Sequence, residues 1–297
     1  MGSRDDVLAG GGTGGTTSSP MAFPIPAEEL GTVSIVPNGS FEAGSYQTFV
    51  LTYVAGKFGI DDSGSIRVCF RFASDQTRPQ FEDPKGPNYT TIEASNNAVL
   101  TYHYDPKGNV RPWDRTLYIK VVRGFLREGD KITITFGDRS GGSPGMRLQT
   151  FCEDSYEFHT LIDPIATYCY QPMPVQPVIK IIPGKPDRYL AVAPTIRAID
   201  ESFSIKFKGE DKWGNPSDQC DIQLYPHASH PIKNLPNMVS LKPGEFFGVI
   251  EGLLVADAAD LYIDFLDDAG VVMCRTNPIR IEPAPLSRHF WGDLHGQ

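Results

Sequence analysis

The residues of this sequence whose types and spacing could support catalysis lie at its last positions, in Phe290-Trp291-Gly292-Asp293-Leu294-His295-Gly296-Gln297. A histidine two residues after an acid, entered from a segment of β type and an aromatic pair, is typical of the start of a metal-dependent hydrolase's ligand set. His295 alone cannot hold a catalytic metal, because such sites need three or more protein ligands that converge from several strands. We therefore expect the preceding residues to be a non-catalytic, β-rich region, with the chemistry in sequence beyond Gln297.

Two further groups of side chains could bind a ligand. His227 and His230 could chelate a metal across a loop, but no third ligand is evident nearby, so we expect an ordinary surface loop. Four aromatic residues could form a platform for sugar rings, although in β proteins such residues more often fill the core or cover a turn. They are Tyr102, Tyr104, Trp113 and Trp213.

The most glycine-dense loop of the expected folded region is Gly137–Gly145. Backbone N–H groups of such a loop can cradle an anion. No helix follows to supply the dipole that phosphate sites normally use, so a tight connection between two strands is the favoured interpretation. The acids between Asp257 and Asp268 lack the cadence of a calcium loop and are expected on a solvated sheet edge.

Composition and charge exclude several classes of function. The chain has 297 residues with 40% hydrophobic and 11% aromatic content, which is enough for two globular domains. Its net charge is −9, and no stripe of Lys and Arg could follow a phosphate backbone, so we expect no nucleic-acid partner. No run of about eighteen apolar residues occurs, so we expect no membrane span.

The cysteines and the first residues bear on the compartment. Met1–Leu8 carries three charged residues and is followed by Gly and Thr, so it does not read as a signal peptide. The five cysteines are widely spaced without a CxxC pair, which favours reduced thiols and a cytoplasmic location. A Cys152–Cys169 disulfide stays open as the alternative for an exported protein, because spacing alone cannot establish a bridge.

Short apolar runs separated by many Gly and Pro residues predict an all-β fold with two antiparallel β-sandwich domains. Residues 1–22 are predicted to be a disordered leader, because Gly10–Ser19 consists only of Gly, Thr and Ser. Residues 23–174 form the first domain, and Gln171–Pro177 is expected to be a stiff linker. Residues 175–285, with about seven short strands, form an immunoglobulin-like domain, and 286–297 would begin a truncated catalytic α/β barrel at its first strand.

Within the first domain the clearest strand is Ser65–Phe72. Its alternation places one set of residues on the face that we expect to be buried, namely Ile66, Val68, Phe70 and Phe72, and the other set on the opposite face, namely Arg67, Cys69 and Arg71. The insert 73–97 is too rich in proline for a central strand, and we expect a surface loop.

The order of these features resembles the forepart of the bacterial proteins grouped as domain of unknown function 3604. The catalytic part of that family is similar to the polymerase-and-histidinol-phosphatase (PHP) metal hydrolases. The resemblance covers about 30–297, and the matching residues are Leu126–Asp130, Phe136–Asp138, Gln149–Phe151, Asp211–Pro216, Asn277–Ile279 and Trp291–His295.

The resemblance implies a ligand set, because in that superfamily the first barrel strand carries His-x-His, whose imidazoles bind a metal. His295 would be the first, and Gln297 stands where the second would be. An amide oxygen would favour Mn or Mg over Zn, relative to imidazole, or Gln297 would not coordinate. Asp293 would orient His295 rather than bind the metal.

Two hypotheses follow. In the first, the chain is the non-catalytic forepart of a cytoplasmic PHP-type hydrolase of phosphate or sulfate esters, and it supports and shapes the active site of the missing barrel. Its partner is then its own C-terminal catalytic domain, the divalent metal (Mn, Zn or Mg) belongs to the parent protein rather than to this fragment, and a homo-oligomer stays open. In the second, the chain is a self-contained β-sandwich module that binds a glycan or a protein.

Overall fold

The computed structural model describes residues 25–287, which are all-β as predicted, with one 3-10 turn at Ala27–Glu29 and no α-helix. The predicted leader at 1–22 and the residues from 288 onward lie outside this range. The strands of the first domain are β1 (Gly31–Val36), β2 (Ser40–Glu42), β3 (Tyr46–Gln47), β4 (Phe49–Ala55), β5 (Ser65–Phe70), β6 (Thr91–Ala94), β7 (Val99–Asp105), β8 (Arg115–Arg123), β9 (Lys131–Phe136), β10 (Met146–Arg147), β11 (Glu153–Glu157), β12 (His159–Asp163), β13 (Gln171–Pro172) and β14 (Val178–Ile182). Those of the second are β15 (Arg188–Val192), β16 (Ile196–Ala198), β17 (Phe203–Glu210), β18 (Ile222–Ala228), β19 (Val239–Leu241), β20 (Gly248–Leu253), β21 (Ala259–Leu261), β22 (Ile263–Leu266), β23 (Val272–Arg275) and β24 (Ile279–Glu282).

The first domain is a sandwich of two main sheets, with strand orders β1-β4-β9-β6 and β13-β12-β5-β8-β7. The alternation predicted for β5 is confirmed for Ile66, Val68 and Phe70, which are buried, and for Arg67, which points away from the core. The strand ends at Phe70, so Phe72 is 44% exposed rather than buried, and Cys69 on the outer face is fully buried. Phe158 is the centre of the core, because the rings of Phe49, Phe70, Phe136 and Tyr156 all lie 5.5–5.7 Å from it. Aromatic pairs at this spacing stabilise a core beyond the area that they bury.

The second domain has its own core and an immunoglobulin-like arrangement of short strands. Its sheets have the orders β15-β17-β20, β19-β18-β22-β23 and β16-β24-β21. Phe207 and Phe265 stack across the core with ring centroids 5.5 Å apart. The pairing of β16 with β24 is parallel, as is that of β2 with β14, so the sheets are not purely antiparallel. Residues 25–287 include no helix of the length and apolarity that a membrane crossing requires.

The segment predicted to be a free linker belongs instead to the first domain. β13 pairs with β12, and the side chain of Met173 is buried in the first core. β14, which we predicted to be the first strand of the second domain, pairs with β11 and β2, and its Ile179 and Ile181 are buried in the same core. Burial of Ile179 and Ile181 favours packing of β14 on the first core over an isolated extended chain. The proline in β13 is compatible with pairing because β13 is an edge strand.

The insert 73–97 is also more ordered than a surface loop. β6 forms the edge of the first sheet by pairing with β9, which corrects the prediction for its last part. Asn88 and Thr90, just before β6, are almost fully buried, and the Asn88 side chain donates to the Thr77 carbonyl oxygen at 2.7 Å. The hydrogen bonds of these polar side chains offset the free-energy cost of burying them. Composition alone does not show which polar residues are paired in this way.

A buried carboxylate organises the junction between the domains. Oδ1 of Asp211 accepts hydrogen bonds from the backbone N–H groups of Trp213 and Asn215, both at 2.9 Å. Oδ2 accepts from the Asn215 side chain at 2.9 Å and from the Gly184 N–H at 3.1 Å. Burial alone would raise the pKa of Asp211, but these hydrogen bonds hold it below its ordinary value.

The turn that Asp211 holds then contacts the first domain. The Asn215 side chain donates to the Thr150 carbonyl oxygen at 2.8 Å and accepts from the Cys152 N–H at 3.1 Å. The Trp213 indole donates to the Ala43 carbonyl oxygen at 3.0 Å and packs on Gly44, whose φ of 67° and lack of a Cβ leave room for the ring. The Asp211–Pro216 turn is therefore an interdomain junction.

The described chain ends at the opposite end of the second domain. β17 ends at Glu210, beside the junction, and begins seven residues earlier at Phe203, about 23 Å away. The turn before Phe203 lies against β24, where the Ile199 N–H donates to the Glu282 carbonyl oxygen at 3.0 Å. Glu282 is thus separated from the first domain by the length of the second.

We expect Asp211→Asn to lower the free energy of unfolding by about 2 kcal/mol at neutral pH. The amide NH2 of the new side chain would face buried N–H groups, so donors would lie against donors. A carboxylate with a lowered pKa stabilises the fold above its unfolded pKa of about 3.9, and this contribution is lost as the pH falls through the folded pKa. The difference between variant and wild type should therefore shrink below about pH 4 in urea-unfolding measurements. The exposed control Asp257→Asn should change stability by less than about 0.5 kcal/mol. A difference that does not depend on pH would contradict this role of Asp211.

Candidate functional site

The metal ligands implied by the resemblance cannot be placed, because Asp293, His295 and Gln297 lie outside the described residues. His227 lies on β18 rather than in the expected loop, and His230 follows in a bend. Within 25–287, no group of three or more His, Cys, Asp or Glu side chains is arranged to hold a metal ion. All five cysteines are free, with Cys152 and Cys169 exposed.

The four aromatic residues considered as a sugar platform do not share one surface. Trp113 stacks on His159 with ring centroids 4.7 Å apart, Tyr102 packs on Phe81 at 4.8 Å, and Trp213 lies in the interdomain junction. The loop Gly137–Gly145 connects β9 to β10, which is the connection that we predicted.

A different set of aromatic and charged side chains does converge, on the outer face of the five-stranded sheet. Arg67 on β5 lies opposite Tyr118 on β8, which lies opposite His103 on β7. These three side chains point away from the core because their neighbours along each strand point inward. Together with the loops at 105–109 and 168–170 they enclose a pocket of about 210 Å³, which we call the Arg67 pocket.

The guanidinium group of Arg67 has few partners within the protein. Its central carbon lies 3.7 Å from the centre of the Tyr170 ring and 5.9 Å from that of Tyr118, so the cation is held against aromatic faces. Its Nη1 makes one long hydrogen bond of 3.4 Å to Asn109, and its buried Nε has no hydrogen-bond partner. None of the ion pairs found in residues 25–287 involves Arg67.

The loop that carries two of the pocket's tyrosines is fixed by a buried acid. Asp163, at the end of β12, accepts hydrogen bonds from the Thr167 N–H and hydroxyl and from the Tyr168 N–H at 2.6–3.0 Å. These bonds hold Tyr168 in the left-handed region with a φ of 63° and leave its ring 77% exposed beside the pocket. A bulky residue rarely adopts this conformation, and such residues cluster at ligand sites.

Tyr170 is fixed in turn by the sheet below it. Its hydroxyl lies 2.6 Å from the Ser65 hydroxyl, in hydrogen-bond contact. Burial raises the pKa of Tyr170 to about 12, although the hydrogen bond with Ser65 lowers it. Tyr170 therefore stays neutral and supplies a face for the Arg67 cation rather than a counter-charge.

The remaining walls of the pocket are polar. Oδ1 of Asp105 accepts the Lys107 N–H at 2.8 Å, which leaves Oδ2 to accept from a ligand. His103 adds a ring 5.1 Å from that of Tyr118, whereas Thr116 is buried and its hydroxyl donates to the Asp114 carbonyl oxygen at 3.2 Å. A ligand that suits the pocket has an anionic group for Arg67 and hydrogen-bond donors for Asp105.

Sequence reasoning placed Arg67 on the polar face of a strand but did not recognise a site. The residues around it come from three other segments, 103–108, 116–118 and 168–170, and no short motif joins them. The available signal was a pair of tyrosines two residues apart, Tyr168 and Tyr170, just before the short strand β13.

A second concave surface lies between the domains. It has a volume of about 840 Å³ and is bounded by β14 of the first domain and by β15 and β17 of the second. Its walls are mostly apolar, in contrast to the Arg67 pocket.

No family model matches the chain, and no curated protein matches it. Among solved structures it is similar to Yersinia pseudotuberculosis InvD, at 13% identity and a TM-score of 0.35, over 91% of this chain and 61% of that one. It is also similar to the Yersinia pseudotuberculosis adhesin InvE, at 8% identity and a TM-score of 0.25, over 85% and 58%. The chain thus spans less than two thirds of each, and likenesses this weak carry no argument about function.

We expect Arg67→Met to change the free energy of unfolding by less than about 1 kcal/mol, because the variant removes a partly buried cation that has no carboxylate partner. Urea unfolding checks this. Arg188→Met is the matched comparison, because Arg188 pairs with the buried Glu210 at 2.7 Å. That variant should cost about 1–2 kcal/mol. A larger loss from Arg67→Met than from Arg188→Met would mean that Arg67 serves the fold rather than a ligand.

Proposed function

We propose that this chain is a non-catalytic β-sandwich module that binds an acidic sugar residue in the Arg67 pocket. The observation that carries the proposal is the Arg67 guanidinium group, which lines the pocket, takes part in none of the ion pairs of residues 25–287 and makes a long hydrogen bond of 3.4 Å to Asn109. Arginine is suited to carboxylates because its planar fork can donate two parallel hydrogen bonds.

Three features of the pocket favour a sugar acid over a simple anion. Asp105 repels every anion, but a sugar acid also carries hydroxyl groups that can donate hydrogen bonds to it, which a sulfate ion does not. The exposed Tyr168 ring offers an apolar face to the C–H groups of a sugar ring. The volume of about 210 Å³ suits a single ring, with adjoining units of a glycan in solvent.

We expect the wild-type protein to bind an oligogalacturonate and not the neutral galactose oligomer, measured by isothermal titration calorimetry. Arg67→Met should weaken binding at least about thirtyfold, because a charge-assisted hydrogen bond contributes about 2 kcal/mol. Tyr168→Ala should weaken it less, and Arg67→Lys should retain only part of it.

Arg123→Met is the matched control, because Arg123 is an exposed arginine on β8. It should bind like the wild type. Equal affinity for the acidic and the neutral oligomer would contradict the proposal, as would binding that survives Arg67→Met.

The family resemblance supports a second proposal, that the chain is also the forepart of a cytoplasmic, PHP-type hydrolase of phosphate or sulfate esters. His295 would then bind a divalent metal with other ligands of the missing domain, Asp293 would orient it, and Gln297 would add a neutral oxygen ligand or none. The Asp211–Pro216 motif of the resemblance forms the interdomain junction, which is consistent with a supporting role for these residues.

A chain extended by the sequence encoded downstream of Gln297 should hydrolyse p-nitrophenyl phosphate or p-nitrophenyl sulfate when Mn²⁺ is added, whereas residues 1–297 alone should not. His295→Ala in the extended chain should abolish the activity, because it removes a metal ligand. His230→Ala is the control and should leave the activity unchanged. Full activity of the His295→Ala protein would refute the assignment.

A further inference from the structure

The interdomain groove combines exposed apolar side chains from two parts of the second domain. Leu190 and Val192 lie at alternate positions of β15, so both point to the outer face of its sheet. Phe246 and Phe247 come from the segment before β20. Their exposed fractions are 37%, 60%, 47% and 58% in that order. An apolar surface of this kind on a water-soluble domain marks a place that is covered by a partner.

The first domain closes the other side of the groove. β14 contributes Lys180, Ile181 and Ile182, and Asp154 projects from the neighbouring β11. Since the Asp211 junction fixes the two domains against each other, the groove is a preformed surface rather than a gap between loosely tethered bodies.

Most of the charged side chains along the groove already have a partner. Lys180 pairs with Asp154 at 2.7 Å, and Lys208 pairs with Glu210 at 2.8 Å. Glu153 pairs with Arg71 at 3.1 Å.

Lys206 and Asp218 are the exceptions, because neither forms an ion pair with any residue in the range 25–287. Lys206 lies on the outer face of β17, directly between Val192 and Val249 in the strand register. Asp218 lies on the groove wall formed by the segment that follows the junction turn. The groove therefore has an apolar centre with one unpaired base and one unpaired acid.

This charge pattern is self-complementary. In a dimer with a two-fold axis the same surface is used by both copies, so a residue i that contacts j is matched by a contact of j with i. When two such surfaces meet, each copy covers the apolar centre of the other. The base of each copy can pair with the acid of the other, which gives two equivalent ion pairs. A partner with only basic or only acidic groups would leave one of the two charges unmatched.

We propose that the groove is the interface of a two-fold symmetric homodimer, in which Lys206 of each copy pairs with Asp218 of the other. The inference goes beyond the sugar-binding proposal and does not depend on it, because the Arg67 pocket lies on a different surface of the first domain.

Sedimentation velocity over a concentration series tests the proposal. The wild-type protein should show a reversible monomer–dimer equilibrium. Lys206→Asp places two acids together at both pair positions, and Asp218→Lys places two lysines together. Each should weaken the dimer about a hundredfold or more, because like charges in contact at an interface are strongly unfavourable. Lys206 is exposed and Asp218 is half-buried, so circular dichroism is needed to show that both variants are folded, which we expect.

The decisive measurement mixes the two variants. A heterodimer of the Lys206→Asp and Asp218→Lys chains contains two opposite-charge pairs, so an equimolar mixture should dimerise although each variant alone does not. The double variant Lys206→Asp/Asp218→Lys should dimerise by itself for the same reason. Lys131→Asp and Asp257→Lys are matched controls at exposed positions away from the groove, and they should behave as the wild type.

Three results would overturn the proposal. The first is a wild-type protein that stays monomeric up to about 100 µM, which would leave the groove to a different partner. The second is a dimer that both charge reversals leave intact, which would place the interface elsewhere. The third is a mixture of the two variants that stays monomeric, which would exclude the Lys206–Asp218 pairing.

Discussion

The relation between the two domains depends on the buried carboxylate of Asp211. A charge out of contact with water is unfavourable unless hydrogen bonds replace its hydration, and here four donors do so. One donor comes from Gly184, in the connection from the first domain, and the others come from the turn that contacts that domain. The Asp211 carboxylate thus fixes the chain just before β15, at Gly184, and just after β17, at Trp213 and Asn215. Without it, the side chains of Trp213 and Asn215 would lose the backbone conformation that directs them at the first domain.

The two concave surfaces illustrate how outward-facing positions of a sheet acquire different chemistry. On β5 and β8 these positions carry Arg67 and Tyr118, and loops rise over them to form a small polar pocket. On β15 they carry Leu190 and Val192, with no loop above them, and the result is an open apolar groove. In both cases a basic side chain lies outside the ion pairs of the described residues, while an acid, Asp105 or Asp218, lines the same surface. Each surface can therefore meet both a negative and a positive group of whatever it binds.

Local periodicity was sufficient to predict the class of fold. The alternation of Ile66, Val68 and Phe70 determines which face of β5 is buried, because a strand exposes every second residue to the same side. The domain boundary could not be predicted in this way. Val178–Ile182 has the same alternation whichever core it joins, and its choice depends on contacts with β11 and β2, far away in sequence. The Arg67 pocket could not be predicted for the same reason, since its members meet through the register of β5, β7 and β8 and through the loop 168–170 that Asp163 holds beside them.

The position of Glu282 has a consequence for anything joined to this chain after residue 287. A body attached through a flexible connection explores a volume that grows with the length of the connection. Its effective concentration near a ligand held elsewhere on the same molecule falls accordingly. Here the second domain stands between that point and the first domain, and the Asp211 turn sets its direction. The second domain therefore places the end of the described chain about the length of β17 from the first domain, and a body attached there reaches a ligand in the Arg67 pocket only through a connection that spans this distance.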